Sequence, residues 1–436
     1  MSVTPSPSSD PTPSSDPAAA PASFVPPVQS AERPGVSTPL LVTLAVLSAV
    51  APFSTDLYLP AFPQMSTELA TSDTAVQLSL TAFLIGAGVG QLVFGPVSDR
   101  LGRRWPLLIG LMLFLASSCG TAMAPSIGVL IPLRLVQGIS GAAGMVIGRA
   151  VIADRSHGRA AARALSLMMM VGGLAPVIAP LLGSGLAGVI GWRGLLWIVA
   201  GLGLAGLVAS VVFVPETNDA DARARRAAAD AALAAEHPGA GGVRALATRT
   251  FIGRTLAFAF AFATMMAYIS ASPFVYQRMI GLSVPAYGLL FGLNALLLML
   301  VSAISARLVA VYGAERLLRI GLITNLVGSA ATLLVAVTGV PVWLLTLTLP
   351  IAVAPLGLVF GNATALALDA APARVAGLGS AILGMAQFAL AGLVSPLVSL
   401  GGEGTATPLG IVMVTASVVA MAMFLVGRSR TSILEG

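Results

Sequence analysis

The sequence predicts an all-α integral membrane protein of twelve transmembrane helices in two pseudo-symmetric six-helix bundles. Three observations point there. Hydrophobic residues make up 57% of the 436 and charged residues 9%, with a mean hydropathy of +0.94. A soluble domain carries about 25% charge, so this chain cannot cover its surface in water. Apolar runs of about 20 residues, enough to cross a hydrocarbon core of about 30 Å, recur twelve times, and the longest polar connection follows the sixth.

The elements read as follows. Residues 1–36 are rich in Pro, Ser, Thr, Ala and Asp without an apolar period, which predicts a disordered cytoplasmic tail. That segment lacks the basic start and short apolar stretch of a secretory signal, so the first run, from Leu40, stays as a helix. Spans are expected at 40–61, 77–97, 106–124, 127–152, 164–189, 194–214, 251–275, 286–309, 316–338, 342–367, 375–400 and 408–427. Prolines and glycines punctuate them: Pro60 and Pro63, Pro125, Gly191 to Arg193, Gly313, Gly339 to Pro341, and Gly401 to Gly404. A cytoplasmic linker, 215–249, separates an N-terminal bundle (37–214) from a C-terminal one (250–436). Within the linker, Asp219 to Glu236 reads as a solvated helix.

All 23 basic residues are arginine. Their loops alternate with nearly uncharged ones, so the positive-inside rule puts both termini in the cytoplasm and leaves only Arg193 and Arg278 on the outer side. A pI near 10.4 therefore reports membrane orientation rather than nucleic-acid binding. Cys119, alone, is a packing residue; His157 and His237 fall in loops and are solvated. No G-x-x-x-x-G-K-[ST] loop, metal cluster or catalytic constellation occurs in the sequence. The expectation is a non-enzyme with no cofactor, monomeric, in the bacterial inner (plasma) membrane. A faint internal repeat relates Gly102–Gly110 to Gly313–Gly321 in glycine positions and apolar register, as two related halves require.

Charges inside a membrane are costly and mark function by default. Asp56 is the only acid well inside an apolar run and Arg134 the only base. At 1.5 Å per residue, Asp56 lies roughly 24 Å along helix 1, and Arg134 roughly 10 Å in from the opposite surface on helix 4. The two are expected at similar depth, as a pair. That pair is either a structural ion bridge or a carboxylate whose protonation switches with conformation.

The hairpin from Gly95 to Arg104, with Asp99, Arg100, Arg103 and Arg104, resembles the G-x-x-x-D-R-x-G-R-R loop between helices 2 and 3 of major facilitator superfamily transporters. Ser54–Pro63 on helix 1 is similar to the first helix of the superfamily's Bcr/CflA drug-resistance branch, within the twelve-helix drug:proton antiporters. Arg134-Leu-Val-Gln-Gly138 on helix 4 resembles that branch's R-x-x-Q-G motif. Helix 5 carries a Pro/Gly-rich antiporter motif through Gly172, Gly173, Pro176, Pro180 and Gly183, and Gly191-Trp-Arg193 follows it. Ser184 stands where the branch often has a second glycine, and little effect is expected of so small a residue. The resemblance covers roughly Ser54 to Arg193.

It implies the major facilitator fold and export of small amphipathic drug-like molecules, such as chloramphenicol or bicyclomycin-type compounds, in exchange for protons. It also implies proton coupling at Asp56 and Arg134. Gating falls to Asp99, Arg100, Arg103, Arg104 and Asp154, with Asp99 facing helix 11 and Asp154 partnering Arg103 to lock the inward side. The alternatives are a same-fold carrier of an endogenous metabolite or sugar, and a non-transporting membrane receptor. In this architecture the substrate cavity is expected to draw on Tyr58, Phe83, Met145, Met168, Met169, Met265, Tyr268, Asn294, Asn362 and Gln387. An adaptable lining of methionines and aromatics with few polar anchors suits amphipathic compounds.

Overall fold

A computed structural model describes residues 36–156, 158–225, 228, 243–338, 340–372, 375–399 and 404–428. The expectations for the tail, for most of the linker and for both histidines lie outside these residues. The first helix, α1, is Thr38–Asp56, and Pro60 and Pro63 follow its end. Lacking backbone donors, these prolines turn the chain through Leu59–Ala61 into a short helix, Phe62–Glu68. Asp56 thus ends a helix instead of lying within one, as the 40–61 span had implied. Next come α2 (Asp73–Leu101), α3 (Arg104–Ala122) and α4 (Ile127–Arg155).

Helix continues from Gly158 to Phe213, broken only at Gly191, whose φ of 65° and ψ of 178° are non-helical. The 51 residues Arg163–Phe213 of this stretch would reach roughly 75 Å at 1.5 Å each, more than twice the membrane core. Gly191 therefore separates α5 (158–190) from α6 (192–213). The second half follows as α7 (Arg249–Pro273), α8 (Val284–Tyr312), α9 (Ala314–Thr338), α10, α11 (Ala376–Val394) and α12 (Thr407–Val426). A π-helical turn, Phe274–Met279, ends α7. The tenth span is split by Ala354 and Pro355 into Leu345–Val353 and Leu356–Asp369.

Side-chain caps start several spans: Ser72 Oγ accepts from Ala75 N before α2, Thr248 from Phe251 N before α7, and Ser283 from Ala286 N before α8. Each satisfies one of the free donors of a helix start.

The halves repeat in packing. In the first, α1 packs on α5, α2 on α4, and α3 on α4 and α6; in the second, α7 packs on α11, α8 on α10, and α9 on α10 and α12. The repeat read from the sequence appears in the backbone too. Gly102 and Gly313 both end their hairpin's first helix with positive φ, 96° and 74°, a region open to glycine. The α2–α4 contact is nearly backbone to backbone: a Cβ on Gly138 would lie 2.0 Å from the Phe83 carbonyl oxygen. That closeness brings Arg134, one turn away, among α1 and α2.

The halves meet along α2–α11 and α5–α8. Among the described residues, their mutual side-chain hydrogen bonds all lie at the end remote from Arg100–Arg104. Toward the arginine-bearing end, α5 stands clear. Met169, Met170 and Val171 are exposed and Gly173 has open space around it. The halves are bonded at the far end, and toward the arginine-bearing end α5 stands clear while α2 and α11 stay in contact as far as Gln91 and Gly384.

Candidate functional site

Arg134 is fully buried and completely engaged with neutral groups apart from Nε. Nη1 donates to Gln137 Oε1 (2.6 Å), and Nη2 donates to the Ser54 carbonyl (2.8 Å) and to Tyr58 Oη (3.1 Å). Its guanidinium carbon lies 4.5 Å from the Tyr58 ring centroid and 4.6 Å from that of Phe83. Gln137 passes the network on to Ser118 Oγ at 2.7 Å, and Tyr58 Oη meets Ser79 Oγ at 3.1 Å. The expected Asp56–Arg134 ion pair is not formed. The physical reason is the end of α1: a helix leaves its last carbonyls unpaired, and Ser54 O is one of them, so Arg134 caps the helix.

Asp56 is 4% exposed, and among the described residues no cation pairs with it. Tyr287 on α8, in the opposite half, lies near it. Tyr287 belongs to a cluster that composition alone does not single out. Tyr287 Oη lies 3.4 Å from Ser272 Oγ, and its ring centroid lies 6.1 Å from Tyr276 and 5.8 Å from Phe291. Tyr268 stacks on Phe291 at 5.5 Å and 19°. Toward the arginine-bearing end the same half carries a second aromatic group, Phe258, Phe262, Phe360 and Phe388, with centroids 5.8–6.4 Å apart.

The other predicted residues divide. Tyr58 and Phe83 serve Arg134 rather than a cavity. Met168 is buried against Gly148 within the first half, and Asn362 Nδ2 donates to Ser305 Oγ at 2.9 Å, joining α10 to α8. Both are packing residues, corrected from the cavity list. Met169 is exposed, Met145 is half-buried, and its carbonyl accepts from Arg149 Nε at 3.2 Å. Met265 and Gln387 are half-buried, whereas Tyr268 and Asn294 are buried together in the second half.

In the antiporter motif, Pro176 and Pro180 lie in unbroken helix. Gly172 packs on Ser48, and Gly183 sits where a Cβ would be 2.0 Å from the Leu57 carbonyl oxygen.

At the arginine-bearing end, Arg103 Nε donates to Asp154 (3.0 Å), and Nη1 donates to Asp99 (2.6 Å) and Ser98 Oγ (2.8 Å). The Asp154 partnership matches the resemblance. Asp99, however, is 61% exposed at its side chain, and among the described residues it makes no bond to α11. Every described contact of this cluster stays within the first half and the start of the linker, so it stiffens one bundle instead of bridging two. Arg104 caps α6 through the Val211 and Val214 carbonyls, and Arg100 is exposed.

Sequence reading missed Glu216, which accepts from the backbone N–H of Arg103, Arg104, Thr217 and Asn218. Burial pushes its carboxyl up, but these four donors outweigh burial and hold it below the usual range. Burial likewise opposes the Arg103 charge, and Asp154 with Asp99 reverses that, raising its pKa. Removing Arg103 strips the guanidinium from the buried Asp154, so Arg103→Ala should cost about 3 kcal/mol. Arg100→Ala should cost under about 1 kcal/mol. Thermal unfolding in detergent ranks the two; equal losses would contradict a buried network.

At the far end, Arg278 Nη1 donates to Asp73 (2.7 Å), and Nη2 donates to Ser66 Oγ (2.7 Å) and the Pro63 carbonyl (3.3 Å). Gln277 Nε2 donates to the Pro60 carbonyl at 3.0 Å. Both residues lie on the π-helical turn and tie α7 to the first half. The signal for Arg278 was in the sequence, as one of two arginines off the basic side.

Two repeated six-helix halves, bonded to each other at one end and carrying a buried acid, have the architecture of a membrane transporter. The Major Facilitator Superfamily profile matches residues 44–396, and the chain belongs to that superfamily. It is 34% identical over 388 residues to the uncharacterized MFS-type transporter YdgK of Bacillus subtilis (strain 168), covering 88% of this chain and 94% of that one. A bicyclomycin resistance protein homolog of Haemophilus influenzae is 28% identical over 87% of this chain and 94% of its own length. A chloramphenicol resistance protein of Pseudomonas aeruginosa is 31% identical over 91% and 92%. Among solved structures, a D-xylose-proton symporter superimposes with a TM-score of 0.72 at 18% identity, over 88% of this chain and 96% of that one. That likeness concerns the fold alone.

Proposed function

We propose that this protein exports uncharged or amphipathic drug-like molecules across the bacterial inner membrane in exchange for protons, without a cofactor and as a monomer. Relatives matched over nearly their whole length and named for bicyclomycin and chloramphenicol resistance support the substrate class. The observation that carries the mechanism is Asp56. A carboxyl buried with no cation partner is tolerable mainly in its neutral form, and it sits between the halves. Proton loss there changes what the far-end seam can hold closed. Arg134, capping α1, fixes the helix end that presents Asp56 and so acts as a positioning residue.

The arginine distribution supports a cytoplasmic arginine-bearing end with both termini inside, which makes the present conformation inward-open. Residues 37–214 and 250–436 are then the two rocking bodies, joined by the 215–249 linker. Asp99, freed from Arg103 or shared with it, is placed to meet α11 when the inward side closes. The test is expression in an efflux-deficient bacterium challenged with a drug panel. Accumulation should fall in expressing cells and recover fully with a proton uncoupler. Lowered accumulation that an uncoupler leaves unchanged would overturn proton exchange, and unchanged accumulation across the panel would overturn export.

A further inference from the structure

Asn294 lies on the α8 face of Tyr287 and Phe291, at i, i+4 and i+7, and is 1% exposed. Neither end of its carboxamide, Oδ1 or Nδ2, makes a hydrogen bond of good geometry, and nor does Tyr268 Oη, which lies close to both Asn294 and Tyr276 and belongs to a residue 2% exposed. Buried polar atoms are nearly always well paired, and three that lie together without one well-formed bond leave donor and acceptor capacity for a ligand. Nor does Arg134 complete them, since its guanidinium is held by Ser54, Tyr58 and Gln137.

We propose that Asn294 and Tyr268 form the polar anchor of the substrate site, and that the group they take is an uncharged amide lying against an aromatic slab. This rests on the export reading above. A planar carboxamide with one free donor and one free acceptor is complemented by another amide, which offers the same two in reverse. The Tyr268–Phe291 stack supplies a flat apolar wall beside it.

The approach to the anchor would run from the arginine-bearing end. The Phe258, Phe262, Phe360 and Phe388 group lines the second half in that direction, and Met265 lies between the two aromatic groups, half-buried. Methionine is unbranched and yields readily, so displacing it opens the anchor to a ligand without moving the helices. The ligand then lies next to Tyr287, which Asp56 faces across the seam.

The test uses the full-length protein in an efflux-deficient strain, with two probes: chloramphenicol, an uncharged amide, and an amphipathic quaternary ammonium dye, which has neither amide donor nor acceptor. Asn294→Leu keeps the side chain's bulk and removes both hydrogen-bonding ends. Its KM for chloramphenicol efflux should rise about tenfold or more with kcat little changed, while dye efflux stays at the parental level. Tyr268→Phe should raise the same KM by a smaller factor, and it serves alone if Asn294→Leu fails to assemble. An unchanged KM in assembled variants would mean that the three groups are met by water, and equal losses for both probes would mean a structural role. Either result overturns the anchor. If the parent exports neither probe, the export reading fails instead.

Discussion

Asp56→Asn should insert, fold and bind substrate, yet build no drug gradient. The substitution is nearly isosteric, and since Asp56 pairs with no cation among the described residues, no ion pair is broken. The stability cost should stay within about 1 kcal/mol, because a neutral amide of nearly the same shape is cheaper to bury than an unpaired carboxylate. Coupling is another matter, since the amide cannot exchange a proton. Uphill export should fall to the level of non-expressing cells, a loss of at least about a hundredfold if the acid supplies all the coupling. Downhill exchange of labelled for unlabelled substrate should survive. An Asp56→Asn variant that still builds an uncoupler-sensitive gradient would place the proton site elsewhere. Arg134→Ala should behave differently: it removes a helix cap and three hydrogen bonds and so costs stability first.

That contrast reverses the pairing suggested by depth alone. Hydropathy located every span, because a bilayer admits little else, and arginine spacing marked which ends share a side. The hairpin motif also carried its Arg103–Asp154 contact, as expected, whereas Asp99 pairs with Arg103 instead of facing α11. Asp56 and Arg134 were found correctly as the two intramembrane charges, yet their relation was not. Depth is a one-dimensional coordinate, and the partner choice depended on where α1 ends and which way Ser54 O points. Tyr287 and Tyr276 escaped for a similar reason. They lie on or just beyond two different helices, and only the three-dimensional crossing gathers them with Tyr268 and Asn294. Met168 and Asn362 show the converse error, in which a residue type suited to a cavity faces into a bundle instead.

Gly288→Ala should hold the far end ajar. A Cβ at Gly288, on α8, would lie 2.2 Å from Ser184 Oγ and 2.4 Å from Ser184 Cβ, on α5 in the opposite half. No real contact is that short, so the two helices must separate for the methyl to fit. Overpacking of this kind costs about 1–3 kcal/mol. Because the clash exists only when the seam is shut, the whole cost falls on the far-end-closed state. The equilibrium should then move toward the far-end-open state by roughly 5- to 150-fold, with turnover slowed and a cysteine placed near Gln64 labelled faster by a membrane-impermeant reagent from outside the cell. Ser184 is the key to the control. It stands at the position read from the sequence as a harmless departure from a second glycine, and its side chain supplies both of the shortest contacts. Adding Ser184→Gly to Gly288→Ala removes those atoms and leaves the Pro180 carbonyl oxygen, at 3.3 Å, as the remaining neighbour. The double variant should therefore recover turnover and parental labelling. If Gly288→Ala alone changes neither, or if Ser184→Gly fails to rescue it, the α5–α8 contact is not the moving seam.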